Sequence, residues 1–204
     1  SLKLGIFTAR EAAANGSTYT TLASVRKYTG LSGALGKAQL QGVDAVKLIG
    51  TGLVFQLNRS SVSGGAVLDW TQSAVGSAGV TLGSSDPTFR IGGSVGLSMA
   101  DVVFGSATVA ISRTQVSGVD DPDAADPVVQ LKGDLLSISI TQAKLFIGSG
   151  ASLNEDLNSG DFGKVAEPAA NDPKAVGFSV TGGSLDLGIF TAREILTSGT
   201  TYTT

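Results

Sequence analysis

The sequence predicts an all-β chain, and three observations carry that prediction. Apolar and polar residues alternate along several segments, Asp-Pro pairs stand ahead of such segments, and glycine recurs at their ends. Leu136, Ile138 and Ile140 alternate with Ser137, Ser139 and Thr141; Leu53, Phe55 and Leu57 share one parity, as do Leu185, Leu187 and Ile189. A period of two sends successive side chains to opposite faces, so these segments read as half-buried strands.

The elements follow in order. Leu2, Leu4 and Ile6 open a strand, while Ala9 to Ala14 is helix-compatible by propensity alone and reads as a loop or frayed turn. Gly30, Gly33, Gly36, Gly42, Gly50 and Gly52 then break the chain around the Leu53 to Leu57 strand. Asp86-Pro87 and Asp126-Pro127 each launch the pattern D-P-x-Φ-x-Φ-x-G (Φ apolar) at a spacing of 40, and a looser copy starts at Asp172-Pro173. Proline cannot donate to a ladder and biases its predecessor toward extended geometry, so Asp-Pro closes a loop and starts a strand.

Corners this frequent suit a narrow coil. The expected architecture is therefore a parallel β-solenoid or β-roll, with coils of roughly 20 to 23 residues and an advance of about 40 Å per unit. An antiparallel β-sheet or β-sandwich array is the alternative, since both have the same period of two.

A longer repetition encloses these elements. Residues 184–204 match residues 1–21 without a gap at an offset of 183, with 15 of the 21 positions identical. The chain thus holds one full repeat, 1–183, and the start of the next, 184–204. Leu2, Leu4 and Ile6 return as Leu185, Leu187 and Ile189, while Lys3 becomes Asp186 on the opposite parity. The constant positions are expected to form the buried face of a seam between units. Excision from one very long polypeptide is favoured over polymerising subunits, because Thr203-Thr204 stops where Thr20-Thr21 runs on into Leu22-Ala23.

Composition narrows the chemistry. The net charge is −3 and there is neither cysteine nor histidine. Nucleic acid has no basic surface to bind, and thiol, disulfide, common zinc and imidazole chemistry are all removed. No apolar run approaches the roughly 20 residues that span a bilayer, so membrane insertion is not expected.

The order of segments resembles long repeats of giant bacterial extracellular or surface proteins, adhesin-like and RTX-type. The residues that carry the likeness are Val176-Gly177-Phe178-Ser179-Val180, Gly182 to Leu187, Tyr202-Thr203-Thr204 with its counterpart Tyr19 to Ala23, Leu53 to Arg59, and Val67-Leu68-Asp69-Trp70. The resemblance implies a non-enzymatic structural repeat of an extracellular fibre, sheath, biofilm matrix or giant adhesin, located outside the cell or on its surface. Its partners would be adjacent repeats and surface polysaccharide. Such repeats often carry an acidic, calcium-loop-like insert before the Val-Gly-Phe strand. Here Asn154, Asp156, Asn158 and Asp161 offer oxygens for calcium, although Ser159 displaces the glycine and Val165 stands where a glutamate would close the site. Without an ion, the same Asx side chains would cap turns. No other cofactor is expected.

The alternative function is a carbohydrate-binding or carbohydrate-cleaving β-solenoid. Its candidate pairs are Asp44 with Lys47, Asp101 with Arg113, and Asp134 with Lys144, each of which also reads as a cross-strand ion pair. Trp70 would be a sugar platform or a core residue. Asn15-Gly16-Ser17 and Asn58-Arg59-Ser60 match the glycosylation sequon.

Overall fold

A computed structural model describes residues 1–196 except 15–17, 41–42, 44, 63, 124–128 and 170. Seven long strands form one open sheet in sequence order: β1 (Leu2–Ala14), β2 (Thr18–Gln39), β3 (Val46–Ser60), β4 (Phe89–Met99), β5 (Val103–Asp120), β6 (Gln130–Ser149) and β9 (Val176–Leu196). Two short strands, β7 (Ser152–Leu153) and β8 (Val165–Ala166), pair with each other, and Gly76–Ala78 makes one 3-10 turn.

Every neighbouring pair is antiparallel, so the expected parallel β-solenoid or β-roll is replaced by the antiparallel sheet. The reason lies in the connections. Ala14 pairs with Thr18 and Met99 with Val103, turns far too short for the crossover that parallel neighbours require. The spacing of 40 between Asp86 and Asp126 thus spans a hairpin, β4 with β5, and not two coils. Ala9 to Ala14 is strand and neither loop nor turn, because Glu11 to Ala14 find partners at Thr21 to Thr18 beyond a bulge of β2, Leu22 to Val25, opposite Arg10.

Partners in a ladder share a face, and the registers trace continuous rows across the sheet. One row runs Leu4, Leu31, Leu57, Phe89, Arg113, Leu136, Ile189; the next runs Leu2, Gly33, Phe55, Ile91, Ile111, Ile138, Leu187. Between them, on the other face, lie Lys3, Ser32, Gln56, Arg90, Ser112, Ser137 and Gly188. One face is apolar and the other polar.

Two insertions fold over the polar-row face at opposite strand ends. Residues 61–88, between β3 and β4, bury Trp70, Val80 and Leu82. Trp70 is 1% exposed and lies across Gly5 and Gly30, where a Cβ would come within 2.5 and 2.6 Å of the indole, so only glycine leaves room. The indole N–H donates to Asn58 Oδ1 at 3.0 Å, and Asn58 Nδ2 donates to the Leu68 carbonyl at 2.9 Å. Residues 150–175, between β6 and β9, place Leu153, Phe162 and Val165 on Ile49, Phe104 and Phe146. The Lys37 ammonium adds a cation-π contact, 4.9 Å from the Phe162 ring.

Candidate functional site

The duplicated sequence occupies the two edges of the sheet. Residues 2–13 lie in β1 at one edge, and their counterparts 185–196 lie in the second half of β9 at the other. Six strand steps separate them, and an even number makes the two copies run in the same direction. They also present the same face, since Leu187 falls in the row of Leu2 and Ile189 in the row of Leu4. Leu187 is the counterpart of Leu4, so the copies are offset by two residues along the strand. An odd offset would have turned every side chain to the other face. The second-copy residues 197–204 lie outside the described residues.

Both copies depart from regular pairing at the same position, but differently. Arg10 faces four residues of β2, Leu22 to Val25, between the Ala9–Arg26 and Glu11–Thr21 pairs, whereas Arg193, its counterpart, is itself the extra residue against β6. On β9 the bulge has a purpose: the Arg193 guanidinium binds Asp134, and Glu194 binds the Lys132 ammonium at 3.0 Å. Arg113 reaches the same Asp134 carboxylate at 2.7 Å. In β1 the identical pair, Arg10 and Glu11, stands on a strand whose outer side has no neighbour, and neither makes an ion pair among the described residues. Sequence reasoning noticed this identity but attached no role to Arg10 and Glu11. The partner residues Lys132 and Asp134 lie outside the duplication and become visible only through the β6–β9 register.

The constant apolar positions are exposed in the single chain. Leu2 is 69% exposed and Leu187 is 45% exposed, along with Leu4, Ile6, Leu185 and Ile189. The buried clusters of both insertions lie on the opposite face. Val62, Gly64, Gly65 and Val67 at the start of the first insertion share a cleft with Leu57, Phe89, Arg113 and Leu136 of one apolar row, and the row of Ile111 and Ile138 is left open.

The candidate calcium residues sit together at the tip of the second insertion, where each joins a turn. Asn154 Oδ1 accepts from the Asp156 amide at 3.0 Å, Asp156 Oδ1 accepts from the Asn158 amide at 2.9 Å, and Ser159 Oγ accepts from the Asp161 amide at 3.0 Å. Asp161 also receives the Lys164 ammonium at 2.8 Å, which holds its carboxyl below the usual range. Asx turns thus shape the loop.

The candidate carboxylates are dispersed. Lys47 pairs with Glu155 at 2.8 Å, while Asp44 lies outside the described residues. Asp134 takes Arg113 and Arg193 and leaves Lys144 on the wall of a cleft of about 500 Å³ beneath the second insertion. Asp101 sits in the β4–β5 turn at φ 52. Trp70 is core, and buried Asn58 is committed to holding it and the loop, so its sequon has no free amide. Asn15 lies outside the described residues. No helix among the described residues is long and apolar enough to cross a membrane. No protein-family model, curated protein or solved structure matches the chain.

Proposed function

We propose that the chain is one unit of a non-catalytic structural array, of the kind found in an extracellular bacterial fibre, sheath or giant adhesin, with a sheet that runs unbroken from unit to unit. The second half of β9 acts as the β1 of the next unit, with β6 on one side and the following β2 on the other. The observation that supports this reading is the recurrence of the residues joining β9 to β6, Arg193 and Glu194, as Arg10 and Glu11 at the bare edge of β1. An edge that carries the same pairing chemistry is suited to the β6 of a preceding unit.

The geometry of the array follows. Six strand steps at about 4.8 Å advance each unit by about 29 Å, with a lateral offset of about 7 Å from the two-residue shear. The advance is shorter than the solenoid estimate because strands, and not coils, are counted. β9 runs without interruption through positions 183 and 184, where one repeat passes into the next, which suits a covalent array. The extracellular setting rests on the resemblance of segment order.

A two-unit chain tests the reading. Leu4 pairs with Leu31, so Leu187→Cys in the first unit is expected to form a disulfide with Leu31→Cys in the second. Thiols that stay free in the oxidised, folded chain would reject edge continuity. Imaging of the native assembly is expected to show the repeat of about 29 Å.

A further inference from the structure

We infer that the open apolar face is an interface for a second copy of the same face, so that two arrays stack into a two-layer sandwich. The inference builds on the proposed continuous sheet. The two central rows contain one charged side chain, Arg113, and its charge is drawn aside to Asp134. Everything else in those rows is Leu, Ile, Phe or Gly.

Area supports a stable partner. The five strands β3, β4, β5, β6 and β9, at about 4.8 Å spacing and about ten residues at 3.4 Å, give a projected face of about 800 Å². That exceeds the roughly 300–600 Å² of the largest apolar patch on an ordinary monomer, and it matches the roughly 800 Å² per partner of a stable complex. The area term is favourable for any apolar occupant, so periodicity selects among them. An apolar face that returns with every unit needs a cover with the same period, and a second copy of the array has that period. The face is also self-complementary in charge, since two copies oppose no carboxylates across these rows. Aligned packing of twisted sheets sets the layers about 10 Å apart.

Sedimentation of the 204-residue chain tests the inference. The expected species is a dimer of the 20.5 kDa chain. Ile138→Lys, at the centre of the open face, is expected to return it to monomer, while Ser137→Lys, one residue away on the other face, leaves the dimer intact. Circular dichroism of both variants checks that the sheet persists, and Ile111→Lys provides a second disruption of the same row. A wild-type chain that stays monomeric, a dimer that survives both isoleucine substitutions, or binding to phosphatidylcholine vesicles in place of dimerisation would overturn the inference. The Leu187→Cys to Leu31→Cys cross-link of the two-unit chain is expected to form in the Ile138→Lys background as well. Its loss together with the wild-type dimer would trace the failure to edge continuity and not to the face.

Discussion

The two faces of this sheet are built from the same strands and differ in what covers them. On one face, polar rows are overlaid at both ends by insertions that bring their own aromatic and aliphatic side chains, so the core forms between sheet and loop. On the other, apolar rows run from edge to edge, and only the start of the first insertion, at Val62 and Val67, adjoins one of them. The covered face stabilises the single unit, whereas the open face has most of its apolar area still to bury. Stability of one unit and association of units are therefore carried by residues of opposite parity.

The sharpest way to break the covered face is through Trp70. Trp70→Ala removes a buried indole from the glycine pair beneath it and strips Asn58 Oδ1 of its donor, and is expected to cost about 3–5 kcal/mol in denaturant unfolding. Trp70→Phe keeps most of the ring but not the N–H, so a smaller loss of about 1–3 kcal/mol is expected from the unsatisfied amide oxygen. An equal loss in both variants would show that the hydrogen bond, and not packing, fixes the insertion. Gly30→Ala approaches the same contact from below. Its Cβ would lie 2.6 Å from the indole, so a cost of about 1–3 kcal/mol is expected where an exposed glycine replacement would be neutral or stabilising.

These residues also mark what was legible in the sequence. Alternation identified β3, β6 and β9, and Asp-Pro announced β4 and β9, because both signals come from the backbone geometry of a strand. Strand direction was not legible, since a period of two is the same in parallel and antiparallel sheets. The turns that decide direction were obscured. Ala100 and Asp101 connect β4 to β5 at φ 51 and 52, a left-handed pair usually announced by Asn-Gly. Asn15-Gly16 does stand between the paired Ala14 and Thr18, although within Asn15-Gly16-Ser17 it reads equally as a sequon. Trp70 was recognisable as core by its type, whereas Asn58 was not, because a polar residue inside a strand becomes a hub only when an insertion returns to it. Likewise, the repeat showed that Arg10 and Arg193 correspond, and only the register showed that Asp134 is what they are for.

The open face should respond to the same class of change far more weakly. Ile138→Thr keeps β-branching and shortens an apolar side chain that no insertion covers, so the unfolding free energy of a monomeric unit is expected to fall by less than about 1 kcal/mol. The measurement requires a concentration at which the chain is monomeric. A loss as large as that of Trp70→Ala would mean that the open face is already packed within a single unit, and the contrast between the faces would disappear.

Acid provides the smallest and most local test of the contrast. The carboxyl of Asp69 in the first insertion is held below its ordinary value of 3.8 by the Thr71 hydroxyl and amide, and that of Asp161 in the second is lowered by Lys164. A depressed folded-state value means that the contribution to stability is fully present above the ordinary value and is lost as pH falls through the folded one. The Thr71 amide resonance and its exchange protection are therefore expected to hold constant down to about pH 4 and to change below it, with the Asp161 turn changing over the same range. The two central rows of the open face contain no carboxylate, so resonances of Ile111 and Ile138 should not follow that titration. If they do, acid sensitivity is shared through the sheet, and the insertions are coupled to the face that they leave uncovered.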